Sequence, residues 1–539
     1  LERMGQYDPE RDSFVEALVI SMNGCGVGYS VERRYVEQLP RIKRQTGIKR
    51  PTFTVPDTSD GWAQALRLGL ETWFTGEDIE FDMSRIRPAG APLKVKGGRA
   101  SGPEPLRSML RFAKDRILAR QGGFMTTLDA HDIMCAVGGA AVSGGVRRTA
   151  MISLFDYDDL EMRHAKDGDF WVHNSQRWNA NNSAVWPDRE LSQQEIARFV
   201  LDMVDSGSGE PGIFNRRAAI RNRPERRQIA EFGTNPCGEI ILRPYQFCNL
   251  TSAVSRADDT LETLREKVEL ATIIGTIQSM ATTFPGLRDI WRKNSEEERL
   301  LGVDLNGQMD SPASQDPKNQ EILRQHVVET NRKYAKILGI PQSAATTAVK
   351  PSGNSSQLLN SSSGIHARWS EYYVRNIRVS AHSPVYKVLR DAGVPMDPEN
   401  GQTRDNATTW VVHFPVKSPE AAVVRGDRGA IEQCNYWLQN REHYTEHNPS
   451  VTITYKPHEV MDLMRWIYDH QDKIGGMAFL PHSDAHYEQL PYEEISKEEY
   501  ERRAAAFPEI DFSKIYRYEE TDLTNAAQEL ACMAGNCDA

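Results

Sequence analysis

Thr234-Asn235-Pro236-Cys237-Gly238-Glu239-Ile240-Ile241-Leu242-Arg243-Pro244-Tyr245-Gln246-Phe247-Cys248-Asn249-Leu250 is the most reactive stretch of this chain. Two thiols, Cys237 and Cys248, flank a carboxylate, Glu239, and an amide, Asn235, precedes the first thiol by two residues. Cysteine can act as nucleophile, redox partner or metal ligand, and a carboxylate beside it can move a proton. Read by itself, Asn-Pro-Cys-Gly-Glu is also an ordinary turn around a buried cysteine, because Asn-Pro and Gly favour turns. The rest of the chain decides between these readings.

The chain has 539 residues, 39% hydrophobic and 26% charged, the composition of a globular protein that needs no disulfides to hold a core. A net charge of −10 disfavours a nucleic-acid polymer as partner. No run approaches the length of a membrane-spanning helix and no secretory signal is visible, so no membrane and a cytoplasmic location are expected. The chain starts at Leu1 rather than Met, and we expect an N-terminal truncation. Seven cysteines at irregular spacing fit a reducing compartment.

Helical and strand-like patterns alternate. Leu261, Leu264, Val268, Ala271 and Ile274 share one helical stripe, with Asp258-Asp259 as its cap candidates. Leu323, Val327, Tyr334 and Leu338 make another, stopped by Gly339. Trp410–Phe414 and Val451–Tyr455 read as strands. Residues 88–105 form a Gly/Pro-rich loop or linker. The mixture runs on without a clear boundary, which predicts one large α/β domain over 1–518 and a mobile tail over 519–539.

The tail carries Cys532 and Cys537 among small residues. Structural zinc wants two close ligand pairs, and only this one pair is close, so no metal site is expected. No Cys-x-x-Cys is present, which argues against a protein-disulfide oxidoreductase. A papain-like cysteine nucleophile gives the tail dithiol no role. A reductive scheme uses every part: two internal thiols become a disulfide, and the tail thiols restore them by exchange. Cys25, between glycines in Asn23-Gly24-Cys25-Gly26-Val27-Gly28, is accessible to close approach, whereas Cys135 and Cys434 read as buried apolar residues. Lys350-Pro351-Ser352-Gly353-Asn354-Ser355-Ser356 lacks a Walker ending but offers backbone N–H groups and hydroxyls to a phosphate. Gly144-Gly145-Val146-Arg147-Arg148 is a second such candidate.

Together these motifs resemble the ribonucleotide reductase family, and within it the monomeric, adenosylcobalamin-dependent class II enzymes that act on triphosphates. The resemblance runs through Asn23–Tyr29, Arg87–Lys94, Gly97–Pro103, Gly144–Arg148, Asn181–Ser183, Asn235–Glu239, Phe247–Leu250, Lys350–Gly353 and the cysteine tail. It implies a ten-stranded α/β barrel of the ribonucleotide reductase/glycyl radical enzyme type, with a central finger loop. It implies Cys237 as thiyl radical carrier, Glu239 as proton acceptor, Asn235 as holder of the substrate hydroxyls, and Cys25 with Cys248 as the reducing pair. Cys532 and Cys537 become the shuttle to thioredoxin or a similar dithiol. Pro351, Ser352, Gly353, Asn354 and Ser355 become the substrate phosphate loop, with Asn354 where the family more often has Thr. Arg177, Asn181 and Asn182 become the link to a deoxynucleotide effector. The cofactor implied is adenosylcobalamin, and the substrates are ribonucleoside triphosphates. Two other readings stay open: a class I large subunit drawing its radical from a partner, and an inactive nucleotide-binding regulator. Class I wants adjacent tyrosines just before the tail, where Arg517 separates Tyr516 from Tyr518.

Overall fold

The computed structural model describes residues 9–91, 100–142, 150–381, 383–482 and 489–518. The tail with Cys532 and Cys537, the Gly144–Arg148 candidate and much of the Gly/Pro-rich segment lie outside them.

Its architecture is α/β. One group of strands, all parallel, runs in the order Val27–Ser30, Met151–Asp156, Ala180–Val185, Gly212–Phe214. Gly212–Phe214 then pairs antiparallel with Gly476–Pro481, through Gly476↔Phe214 and Met477↔Ile213. Beyond that joint the direction stays constant again. Gly476–Pro481 pairs parallel with Thr452–Tyr455, a parallel bridge Val349↔Pro449 leads to Thr347–Ala348, and Leu301–Asn306 and Asn249–Val254 follow in parallel. Four parallel strands thus meet five of opposite sense in one row. The expected closed ten-stranded barrel is not seen: among the described residues no ladder joins Asn249–Val254 to Val27–Ser30, and the row stays open there.

Leu301–Asn306 shows why such a strand forms. Side chains alternate between faces. Leu301, Val303 and Leu305 enter the main apolar core, while Asp304 and Asn306 find polar partners on the other face. All six residues are buried, as in a parallel strand covered on both sides. Helix Leu261–Gln278 packs beside this row and against helix Pro317–Leu338. The second helix ends at Gly339 with φ 69°, the left-handed stop its sequence predicts. The first starts differently from expectation: Thr260 is the cap and accepts from the Thr263 N–H, while Asp259 binds Lys267 instead. Its buried face is Leu264, Val268, Ala271 and Gly275; Ile274 points outward and is 55% exposed. Cys135 and Cys434 are fully buried, as predicted.

The predicted strands at 410–414 and 451–455 both exist, in different sheets. Thr452–Tyr455 belongs to the row, whereas Thr409–Lys417 lies in a separate antiparallel sheet with Met396–Pro398, Tyr372–Ser380 and Tyr492–Glu494. No helix among the described residues is long and apolar enough to cross a membrane.

A small hairpin stands apart from these sheets. Gly233–Thr234 pairs antiparallel with Ile241–Leu242, and residues 235–240 form its tip. Gly238 in that tip has φ 79°, a conformation a side chain resists. The hairpin sits directly on strand Val27–Ser30. A Cβ at Gly26 would be 2.8 Å from Pro236 Cγ, and one at Gly28 would collide with the Thr234 carbonyl. Glycine at these positions is therefore what lets the tip approach. Gly28→Ala is expected to cost roughly 1–3 kcal/mol by overpacking against backbone, seen as a lower urea midpoint. An unchanged midpoint would mean that the hairpin is not seated on this strand.

Candidate active site

The hairpin tip is held by its backbone. Ser450 Oγ donates to the Cys237 carbonyl (2.6 Å), and Asn448 Nδ2 donates to the Gly238 carbonyl (3.0 Å). The Asn448 N–H donates to the Glu239 carbonyl (3.1 Å). One residue earlier, His447 Nδ1 accepts from the Ile241 N–H (3.3 Å) while its Nε2 donates to the Leu301 carbonyl (2.8 Å). Burial pushes His447 down to about 3, so it is a neutral brace. From the opposite group of strands, Asn181 Nδ2 donates to the Pro236 carbonyl (3.0 Å). Asn235 closes the tip from within, its Oδ1 accepting from the Ile240 N–H (3.0 Å).

These contacts fix where the reactive side chains lie. Cys25, Asn235, Cys248 and Lys350 line one cavity of about 590 Å³, together with Gly26, Gly28 and Pro236. Cys237 is accessible at the tip, yet burial and then the neighbouring Glu239 push its thiol up to about 12. Burial also raises the Cys25 and Cys248 thiols. All three are protonated at neutral pH, the form that gives up a hydrogen atom rather than the nucleophilic thiolate.

Glu239 is 1% exposed, and its Oε2 has no hydrogen-bond partner among the described residues. Burial raises its carboxyl, with Asn235 and Lys350 acting the other way. Such an orphaned carboxylate oxygen is costly in a folded interior and marks a place where a donor is to be received.

The Lys350–Ser355 loop follows strand Thr347–Ala348 and is anchored by Asp304, which sequence reasoning missed. Asp304 accepts from the Lys350 N–H (2.8 Å), Ser252 Oγ (2.7 Å) and Ser352 Oγ (3.3 Å). Burial pushes Asp304 up to about 7, against the pull of these donors. Ser352 is consequently turned inward, leaving Gly353 and Asn354 exposed and Pro351 and Ser355 half-buried at the rim. A second cavity, of about 760 Å³, opens beside Pro351 and reaches Val451 and Thr452, next to the Ser450 that holds Cys237. Trp369 and Tyr492 stack there with centroids 5.4 Å apart, and the Arg425 guanidinium lies 4.3 Å from the Trp369 ring.

The remaining candidates fall elsewhere. Arg177 is buried and grips Asp132 with Nε (2.7 Å) and Nη2 (3.0 Å), a structural ion pair. Asn182 is buried on strand Ala180–Val185, next to the Asn181 that binds the Pro236 carbonyl. The residues that sequence reasoning missed are Asp304, Lys350 as a cavity cation, and the brace His447, Asn448 and Ser450. The polar run His447-Asn448-Pro449-Ser450 just before a strand was the available signal.

Residues 29–117 match the family described as "B12-dependent ribonucleotide reductase, insertion domain". The adenosylcobalamin-dependent ribonucleoside-triphosphate reductase of Lactobacillus delbrueckii subsp. bulgaricus is 28% identical over 90% of this chain and 74% of its own length. The Euglena gracilis protein of the same name is 28% identical over 90% of this chain and 67% of its own. Among solved structures, a B12-dependent (class II) ribonucleotide reductase superposes with a TM-score of 0.78 at 24% identity, covering 95% of this chain and 80% of that one.

Asn448 also donates to the Gly476 carbonyl (3.0 Å), so it ties the tip to the antiparallel joint of the strand row. Asn448→Ala is expected to cost about 1–3 kcal/mol for the buried carbonyls left unpaired, read as a lower urea midpoint. Proteolytic nicking within 235–240 should accelerate in parallel. Wild-type stability and protection would contradict the bracing role.

Proposed function

We infer that this chain, related along nine-tenths of its length to adenosylcobalamin-dependent ribonucleoside-triphosphate reductases, is itself a class II ribonucleotide reductase. It reduces ribonucleoside triphosphates to 2′-deoxyribonucleoside triphosphates, the precursors of DNA. The observation that carries this reading is the hairpin tip. It holds Cys237, Asn235 and a buried Glu239 with an orphaned oxygen, and it packs glycine-close on the strand that follows Cys25. The two opposed groups of parallel strands correspond, in this reading, to the two halves of the family's ten-stranded barrel, with the tip as its finger loop. Residues 1–518 form the catalytic body and 519–539 the redox tail.

Adenosylcobalamin, when bound, would supply an organic radical without oxygen. The cavity of about 760 Å³ is smaller than the whole cofactor and would take part of it, with aromatic faces and cations around it and the segment that grips Cys237 beside it. Trp369, Tyr492, Arg425 and His458, which all line that cavity, are the residues that would hold it.

The chain's own residues account for the rest. Cys237 carries the thiyl radical and takes the 3′ hydrogen atom of the ribose. Glu239 accepts the 3′-hydroxyl proton, and Asn235 orients the hydroxyls. One thiol of Cys25 and Cys248 protonates the departing 2′-hydroxyl, which leaves as water. The pair supplies two electrons and ends as a disulfide, and Cys237 returns the 3′ hydrogen. The sum is one ribonucleotide and two thiols giving one deoxyribonucleotide, one disulfide and one water. The exposed Gly353 and Asn354 backbone, with Pro351 and Ser355, receives the substrate phosphates. Cys532 and Cys537 reduce the disulfide by exchange, and thioredoxin or a similar dithiol restores them. A deoxynucleotide effector belongs to the same reading.

Recombinant protein given CTP, adenosylcobalamin and dithiothreitol, with no second subunit, is expected to form dCTP, and Cys237→Ser is expected to fall to background. Folded wild-type protein that forms no dCTP would sink the class II reading. Turnover by Cys237→Ser would sink the radical assignment.

A further inference from the structure

Cys248 owes its place to a helix that the scheme above does not use. Helix Asp289–Glu298 lies against residues 243–247, and three of its buried residues, Asn294, Ser295 and Glu298, bind that segment. Asn294 Nδ2 donates to the Pro244 carbonyl (2.9 Å) and to the Tyr245 carbonyl (3.2 Å), and its Oδ1 accepts from Arg243 Nη2 (2.9 Å). The amide thus uses both its donors and its oxygen on this one segment. Ser295 Oγ accepts from the Phe247 N–H (3.3 Å). Gln246 Nε2 donates to the Asn294 carbonyl (3.2 Å) and to Glu298 Oε2 (2.7 Å). Glu298 is itself fixed by Arg227, through hydrogen bonds of 3.1 and 2.9 Å.

The bend so held needs outside support. Tyr245 has φ 55°, a left-handed backbone that a side chain resists and that persists where the surroundings impose it. Asn294 binds the carbonyl of that same residue. From the same helix, the Trp291 ring meets Tyr245 and Phe247, with centroids 5.8 and 4.9 Å away. Beyond the thiol the contact continues. Asn249 Nδ2 donates to the carbonyl of Leu300, just past the helix end (3.2 Å), and Cys248 packs beside Leu300. The Cys248 thiol, which donates to the Asn249 carbonyl (3.4 Å), is therefore held from both sides, in the wall of the cavity that Cys25 also lines.

We propose that Asn294 is a positioning residue for Cys248: by fixing the bend at Pro244 and Tyr245, it sets how readily the Cys248 thiol meets the Cys25 thiol across their cavity. The reason is geometric. Two thiols join only where the chain brings their Cβ atoms to about 4 Å. A misplacement of about 1 Å can cost on the order of a hundredfold in rate. Asn294 acts through the backbone of the bend rather than on the sulfur. The inference rests on the reductase reading for its kinetic consequence, but the pairing of the two thiols is a property of the protein alone.

Two measurements test it. In the first, cofactor-free protein with Cys532 and Cys537 replaced by serine is treated with diamide. Diamide takes both thiol hydrogens, becoming the hydrazine, and mass spectrometry follows the Cys25–Cys248 disulfide. The second is dCTP formation in a single turnover of the full chain loaded with adenosylcobalamin, over a range of CTP. In Asn294→Ala the disulfide is expected to form about tenfold more slowly. Single-turnover dCTP formation should slow to a similar degree at unchanged half-saturation by CTP. Iodoacetamide labelling of Cys237, which Ser450 and Asn448 hold separately, should keep its wild-type rate. Asn294→Ser, too short to reach both carbonyls, replaces the alanine variant should that variant not fold. A wild-type disulfide rate overturns the proposal. So does faster labelling of Cys237, the sign of general loosening, and so does wild-type protein in which diamide leaves Cys25 and Cys248 unjoined. Wild-type protein that forms no dCTP would defeat the function reading, while the diamide rates still decide the role of Asn294.

Discussion

Three backbone carbonyls in a row, those of Cys237, Gly238 and Glu239, are held by Ser450 and Asn448, and the centre of the molecule depends on that grip. A two-residue hairpin cannot be stable by its own ladder. Here the polar segment before strand Thr452–Tyr455 supplies the missing partners, and Asn181 supplies one from the opposite strand group. The tip is thereby tied to both groups of strands, and its reactive side chains inherit the rigidity of the sheet. A radical carrier, the role proposed for Cys237, needs such support, because a hydrogen atom moves only between closely and reproducibly placed atoms.

Burial is the common electrostatic cause at this site. It raises the three thiols and the Glu239 carboxyl and lowers His447. The same effect has opposite chemical value for different groups. For the thiols it favours the protonated form that hydrogen-atom chemistry requires. For Glu239 it works against the ionised form that proton acceptance requires. Asp304 serves a different end: it spends its acceptor capacity on Lys350, Ser252 and Ser352 and so shapes the Lys350–Ser355 loop from beneath.

Much of this was legible where the signal is local. The glycines around Cys25 announced a close approach, and the structure identifies what approaches: Pro236 and the Thr234 carbonyl. Gly339 marked its helix end correctly. Helix Leu261–Gln278 was misread at Ile274 because that helix is apolar on two sides. Leu270, Ile274 and Ile277 are 62%, 55% and 53% exposed, and periodicity alone does not say which stripe faces inward. Arg177, read from the sequence as part of the link between effector and substrate, is buried against Asp132, a partner that no local pattern announces. Asn448 was invisible for a different reason. It acts on a carbonyl some two hundred residues upstream, and carbonyl-binding roles leave no spacing rule in a sequence. The open strand row likewise depends on pairings between distant segments that no local pattern encodes.

In the proposed function the two cysteines of the opening stretch have separate duties, with Cys237 reacting and Cys248 serving with distant Cys25, which lines the same cavity. Disulfide mapping by mass spectrometry after a single turnover with CTP, in the absence of external reductant and with Cys532 and Cys537 replaced by serine, tests it most directly. The account predicts a Cys25–Cys248 disulfide with Cys237 still free. A Cys237–Cys248 disulfide formed in step with dCTP would contradict it.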